Sequence, residues 1–189
     1  IVKLTPNITD VRKPARAAKQ GGADAVSLIN TINSITAVNL DTFSPEPSID
    51  GKGSHGGYCG PAVKPIALSM VSEIARDRET RGMPISGIGG ITTWRDAAEY
   101  IALSCGTVQV CTAAMLDHAV GPTVIKGLLA GATEFFEKNA ARGYSGFEDI
   151  RGLLARAASG RVIVKPCCED GGIGVDTSSV VDSPEAAFA

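Results

Sequence analysis

Short apolar runs and longer amphipathic stretches alternate along the chain. Residues 1–4 set Ile1, Val2 and Leu4 around Lys3 and close on Thr5-Pro6-Asn7, which predicts a first strand. The helical stretch that follows, to about Lys19, starts near Arg12, because Pro14 is tolerated only in a first turn. Gln20-Gly21-Gly22 then supplies a glycine stop. Residues 25–29 predict a second strand, and Ile66, Leu68, Met70, Val71 and Ile74 mark a helix over 65–75. Residues 83–86 and 107–110 predict strands three and four. Between them, Ala97, Ala98, Ile101 and Ala102 give a helix a small-residue stripe suited to close packing. A last helix is predicted over about 122–138.

Repeated strand–helix units with apolar strands imply an α/β protein, a parallel sheet covered by helices. An open doubly wound sheet and part of a (β/α)₈ barrel both fit. Polar or glycine residues follow each predicted strand: Thr5-Pro6-Asn7, Asn30-Thr31, the run 87–90 and Cys111-Thr112. In Ile85-Ser86-Gly87-Ile88-Gly89-Gly90 an apolar strand runs into glycines, and Thr93-x-x-Asp96 then reads as a capping box. Glycines let a backbone approach an anion, and a helix start offers unpaired N–H groups at a positive dipole end. That is the chemistry of a phosphate grip, although a plain tight turn has the same pattern. Gln109-Val110-Cys111-Thr112-Ala113-Ala114 repeats the arrangement. Two such turns on the last two strands match the barrel habit of binding phosphate after strands seven and eight. They favour the carboxyl-terminal half of a barrel, built from four βα units.

The connection from Asn30 to Pro65 is long and holds the glycine-rich run 51–60, so it is expected to be functional or disordered. The tail loses periodicity apart from Val162-Ile163-Val164. The expected organisation is therefore a domain over 1–155 and a weakly ordered tail over 156–189.

Composition narrows the function classes. A chain of 189 residues is long enough for a sizeable core, and a net charge of −2 leaves no footprint for nucleic acid or an anionic membrane. No apolar run reaches the ~18 residues of a membrane span. The amino end lacks an initiator Met and a signal-peptide pattern, and it reads as mid-protein sequence entered inside a strand. Cys59, Cys105, Cys111, Cys167 and Cys168 show no C-x-x-C spacing, so neither a metal site nor a disulfide framework is expected. Reduced thiols in a cytoplasmic protein are the natural reading.

Several long runs resemble the flavin-binding barrel of the dihydropyrimidine dehydrogenases, above all the bacterial NAD-dependent catalytic subunit, a group related to the dihydroorotate dehydrogenases. The runs are Val2-Lys3-Leu4-Thr5-Pro6-Asn7-Ile8-Thr9-Asp10, Ser27-Leu28-Ile29-Asn30-Thr31-Ile32-Asn33-Ser34-Ile35 and Gly56-Gly57-Tyr58-Cys59-Gly60-Pro61-Ala62-Val63-Lys64-Pro65. Pro84-Ile85-Ser86-Gly87-Ile88-Gly89-Gly90-Ile91 and Val108-Gln109-Val110-Cys111-Thr112-Ala113 extend the resemblance, which covers about residues 1–155 in family order.

The resemblance implies FMN as cofactor and hydride chemistry on the 5,6 double bond of uracil or thymine. It implies that Lys3 faces the isoalloxazine, where a cation favours the reduced flavin. Asn30 and Thr31 would hydrogen-bond the pyrimidine edge, an amide suiting the alternating C=O and N–H of that ring. Gly60, Ile88, Gly89, Gly90, Cys111 and Thr112 would supply mainly backbone contacts to FMN and its phosphate. His55 and His118 match no catalytic partner. The family's catalytic cysteine acid lies upstream of residue 1, so no catalytic residue is assigned in this chain. Ser104-Cys105 replaces a glycine-containing turn, and Cys167-Cys168 cannot supply the family's iron–sulfur spacing. Iron–sulfur clusters thus belong to the full-length family and not to this chain.

Implied partners are a uracil- or thymine-type molecule and an NADH-oxidising flavin/iron–sulfur subunit. A homo-oligomer is also expected, because four units leave two sheet edges that a full barrel pairs. Two alternatives stay open: a dihydroorotate-dehydrogenase-type enzyme and a catalytically inert phosphate-binding half-barrel. The run Gly57-Tyr58-Cys59-Gly60-Pro61 favours the dihydropyrimidine branch over the first.

Overall fold

The computed structural model describes residues 1–140 and the paired strands at 162–163 and 180–181. It falls into two compact units, Ile1–Gly90 and Ile91–Ala189. The architecture is mixed α/β.

The first unit opens with β1 (Val2–Lys3), α1 (Arg12–Gln20) and β2 (Val26–Leu28). Helix α1 starts at Arg12 because Asp10 accepts from the Arg12 backbone N–H (3.0 Å) and from its guanidinium (2.8 Å). Pro14 then falls in the first turn, where its missing N–H has no intrahelical partner to lose. Six short strands follow: β3 (Ile32–Ser34), β4 (Ala37–Asn39), β5 (Ser44–Glu46), β6 (Ser48–Ile49), β7 (Lys52–Gly53) and β8 (Gly56–Tyr58). The long connection is therefore a set of antiparallel pairs, β3 with β8, β4 with β5 and β6 with β7. Asp50-Gly51 forms the tip between β6 and β7, both with positive φ (+50° and +72°), as a type I′ hairpin turn requires.

A 3₁₀ turn (Pro61–Val63) leads into α2 (Lys64–Arg76), which buries Ala67, Val71 and Ile74 at helical spacing. Strand β9 (Ile85–Ile88) pairs with β2, and β2 with β1, all parallel. All three β2 side chains are buried, as are Ile85 and Ser86 of β9, so this sheet carries the core. The strand expected over 83–86 begins two residues later. Pro84 has no N–H for a ladder and contributes only its carbonyl, to Val26 N–H (3.0 Å). Gly87 consequently belongs to the strand, and only Gly89 and Gly90 form the turn. Arg16 ties α1 to the segment after α2 through Asp77 (2.8 and 2.9 Å) and Glu79 (2.8 Å). That guanidinium holds the Asp77 carboxyl below the usual carboxylate range.

The second unit contains α3 (Trp94–Ala102), β10 (Thr107–Gln109), α4 (Thr112–Leu116) and α5 (Val120–Ala140). Helix α3 buries Ala97, Tyr100 and Ile101, while Ala102 is exposed, so the packed stripe is less uniformly small than its alanines predict. The Trp94 ring lies on α5 where Gly127 and Gly131 stand; a Cβ there would come within 2.5 and 2.6 Å of the indole. Ser104 ends α3 in the left-handed region (φ +73°), the conformation a glycine adopts without penalty, and Cys105 N–H closes the turn on Tyr100 O (3.0 Å). The helix stop survives without glycine. The pair β11 (Val162–Ile163) and β12 (Val180–Val181) is antiparallel. Otherwise the expected boundary at 155 and the tail 156–189 lie outside the described residues. Among those residues no helix is long and apolar enough to cross a membrane.

Candidate cofactor and substrate site

The carboxyl ends of β1, β2 and β9 meet within the first unit. Lys3 pairs with Ser27, and Ser27 with Ser86, so these three residues form one row across the sheet. Lys3 is exposed. Beyond β2 the chain is held on both sides. Ile29 N–H donates to Ile88 O (2.9 Å) and Asn30 N–H donates to Leu4 O (2.9 Å). Those two bonds place Asn30 between the end of β1 and the end of β9.

Asn30 is exposed, and its Oδ1 accepts from Thr31 N–H (2.8 Å). The carboxamide keeps its Nδ2 donors and a second acceptor position on Oδ1 for a ligand. The Thr31 side chain packs directly over Gly57: a Cβ on Gly57 would stand 2.6 Å from Thr31 Oγ1 and 2.8 Å from its Cβ. Only glycine leaves that space. Gly60 is buried at φ +85°, and Gly89 and Gly90 take φ +137° and +66°. A Cβ on Gly90 would lie 2.9 Å from Gly60 O, from Pro61 Cα and from Lys64 Cβ. Two of the expected phosphate-contact glycines are thus packed backbone to backbone, in conformations that L side chains avoid.

Cys111 and Thr112 belong to the second unit. Cys111 is exposed and precedes α4 without a side-chain cap, while its carbonyl accepts from Ala114 N–H (3.0 Å) and Met115 N–H (3.2 Å). At the start of α3, Asp96 Oδ2 accepts from the backbone N–H groups of Thr92 (3.0 Å) and Thr93 (2.7 Å) and from both hydroxyls (3.0 and 2.9 Å). The capping box is real, and it fills the helix start with the protein's own negative charge.

Other polar groups offer less. His55 and His118 are exposed. Cys105 is fully buried, and burial pushes its thiol up to about 12, so it stays protonated and unreactive. Burial also raises the Tyr100 phenol. Among the described residues no group of three His, Cys, Asp or Glu side chains could hold a metal ion. Sequence reasoning leaves out Asn7 and Gly57, both of which touch the Asn30–Thr31 segment or its neighbours. The readable sign for Asn7 is its place directly behind a strand-ending Thr-Pro.

A family profile described as dihydroorotate dehydrogenase matches residues 1–131. The NAD-dependent dihydropyrimidine dehydrogenase subunit PreA of Escherichia coli (strain K12) is 41% identical over 153 residues, covering 81% of this chain and 36% of that protein. The chloroplastic dihydropyrimidine dehydrogenase (NADP(+)) of Arabidopsis thaliana is 40% identical, covering 79% of this chain and 34% of the relative. The catalytic subunit of dihydroorotate dehydrogenase B (NAD(+)) from Pyrococcus horikoshii is 40% identical over 156 residues, covering 82% and 47%. Among solved structures, DHODH from Eimeria tenella in complex with ferulenol superposes with a TM-score of 0.54 at 26% identity, over 74% of this chain and 35% of that one. The chain thus spans between about a third and a half of the length of the curated relatives it matches. With the profile running unbroken through both strand-end turns, the chain belongs to the dihydroorotate dehydrogenase family.

Proposed function

We propose that this chain is the carboxyl-terminal half of an FMN barrel and reads a pyrimidine at the ends of β1, β2 and β9. The observation that carries the reading is the double anchoring of residues 29 and 30, to Ile88 O and to Leu4 O. It sets a hydrogen-bonding carboxamide between the strand of Lys3 and the glycine turn. The residues fit a flavin phosphate in that Gly89 and Gly90, at φ +137° and +66°, give the turn after β9 a backbone without side chains. Lys3, Gly60, Ile88, Gly89 and Gly90 would hold the cofactor. When bound, FMN supplies hydride transfer at the 5,6 double bond of uracil or thymine. Asn30 donates Nδ2 to a ring carbonyl, Thr31 adds a hydroxyl, and Lys3 supplies the positive charge that favours an electron-rich cofactor. The proton at carbon would come from the family's catalytic cysteine acid, to which no residue of this chain is matched.

Two relatives are named as subunits, which supports an NADH-oxidising flavin/iron–sulfur partner. A cytoplasmic homo-oligomer completes the proposal. Dihydroorotate is the second substrate reading, and the 40% identity to dihydroorotate dehydrogenase B favours it. Comparing uracil with dihydroorotate on the full-length protein separates the two. In that protein Lys3→Ala should lower the flavin potential and leave pyrimidine KM nearly unchanged. Asn30→Ala should keep the potential and lower kcat/KM about tenfold or more, since one buried hydrogen bond is worth ~1–3 kcal/mol. Wild-type values in both variants contradict the assignment, and a folded full-length protein that takes up no flavin favours the inert binding module.

A further inference from the structure

We propose that Asn7 is a positioning residue for pyrimidine recognition, acting through Thr31 and Asn30; this rests on the substrate reading above. Asn7 is exposed, sits in the turn after β1, and is absent from the set of residues assigned to cofactor or substrate. Its carboxamide nevertheless bridges to a distant part of the chain. Nδ2 donates to Thr31 O (3.1 Å), and Oδ1 accepts from Asn33 N–H (2.9 Å).

Those two backbone groups lie on one edge of the segment that enters β3, whose other edge pairs with β8. The side-chain amide therefore completes the pairing that a neighbouring strand would give, one donor and one acceptor presented to residues two apart. Thr5 sets the amide itself, its Oγ1 accepting from Asn7 Nδ2 (3.0 Å) and from Asn7 N–H (3.1 Å).

The consequence falls on Thr31. Its carbonyl is held by Asn7, its N–H by Asn30 Oδ1 and its side chain by the bare backbone of Gly57. The bond from Thr31 N–H also restrains the Asn30 carboxamide through its Oδ1. Removing Asn7 returns Thr31 O and Asn33 N–H to water and frees the segment that must meet the substrate. Binding then has to order it again. The ladder from β3 to β8 ends at the Ile32–Tyr58 pair, two residues before Gly60 and its contact with Gly90.

The test uses the full-length protein with uracil as substrate. Asn7→Ala should keep flavin content and reduction potential, raise KM about tenfold with kcat changed far less, and speed hydrogen exchange at the Asn33 amide. The double variant Asn7→Ala/Asn30→Ala should be no worse than Asn30→Ala, because both act on the same contact. If Asn7→Ala fails to fold, Asn7→Asp serves, since it keeps an acceptor for Asn33 N–H and removes the donor to Thr31. Wild-type KM in the Asn7 variant beside an impaired Asn30→Ala overturns the proposal. So do losses that multiply in the double variant, the mark of a merely structural role. Wild-type turnover in Asn30→Ala instead overturns the substrate reading on which the proposal stands.

Discussion

The turn after β9 and the turn after β10 each join a strand to a following helix, but their backbones differ in kind. Gly89 and Gly90 adopt φ values of +137° and +66°, and Gly90 is pressed against Gly60, Pro61 and Lys64. Cys111 has φ −125°, lies exposed, and precedes a helix of five residues with no side-chain cap. The first turn depends on residue type, and the second would tolerate most side chains. A strand followed by a helix is thus one sequence pattern with two backbone outcomes, a close-packed glycine turn and an open one.

Substitution breaks this contrast most sharply. Gly90→Val puts branched carbon where three atoms already stand 2.9 Å from an ideal Cβ, at a backbone angle that costs a non-glycine residue ~1–3 kcal/mol. The full-length variant should retain less than about a tenth of its flavin and melt several degrees lower. Cys111→Ser, whose contacts are backbone, should keep flavin within about twofold. Flavin absorbance per protein and a thermal melt read both, and equal losses would erase the distinction between the turns.

A smaller effect sharpens the account of α3. Asp96→Ala removes four hydrogen bonds from the helix start and should cost about 1 kcal/mol of stability, measured by denaturant melt. Flavin affinity should not fall, since that carboxylate opposes an anion. Lower affinity without lower stability would make Asp96 part of the cofactor site.

The smallest test is chemical. Cys111 should react with a thiol reagent in the native protein at pH 8. Cys105, pushed up to about 12 by burial, holds roughly one part in ten thousand as thiolate at that pH and should react only on unfolding. Mass spectrometry of labelled peptides reads both, and rapid native labelling of Cys105 would show that its burial is not maintained in solution.

Local signals make much of this fold readable from the chain. Helix α2 over Lys64–Arg76 extends the expected 65–75 by one residue at each end, and α1 starts at Arg12 as Pro14 demands. Helix periodicity and proline or glycine stops act within a few residues, so they survive tertiary context. Strand β9 slides because Pro84 removes a donor, a rule that was available in the sequence. The hairpins between 32 and 58 are less legible. Their strands are two or three residues long and mostly exposed, so no alternation marks a buried face. Asp50-Gly51 is the readable sign there. The glycine turn is readable from its own residues, an apolar run ending in Gly89-Gly90 before a capping box, whereas the Asn30–Thr31 pair follows from family resemblance. The role of Asn7 does not, because it depends on a contact 24 residues away that only folding creates.

The central claim is that the glycine turn after β9 receives the flavin phosphate while Asn30 faces the pyrimidine. A crystal structure of the full-length protein with FMN and uracil tests it directly. The account predicts a phosphate oxygen about 3 Å from a backbone N–H within residues 88–90, and Asn30 Nδ2 within hydrogen-bond distance of a uracil carbonyl. A phosphate that touches none of residues 88–90, or a pyrimidine out of reach of Asn30, would contradict it.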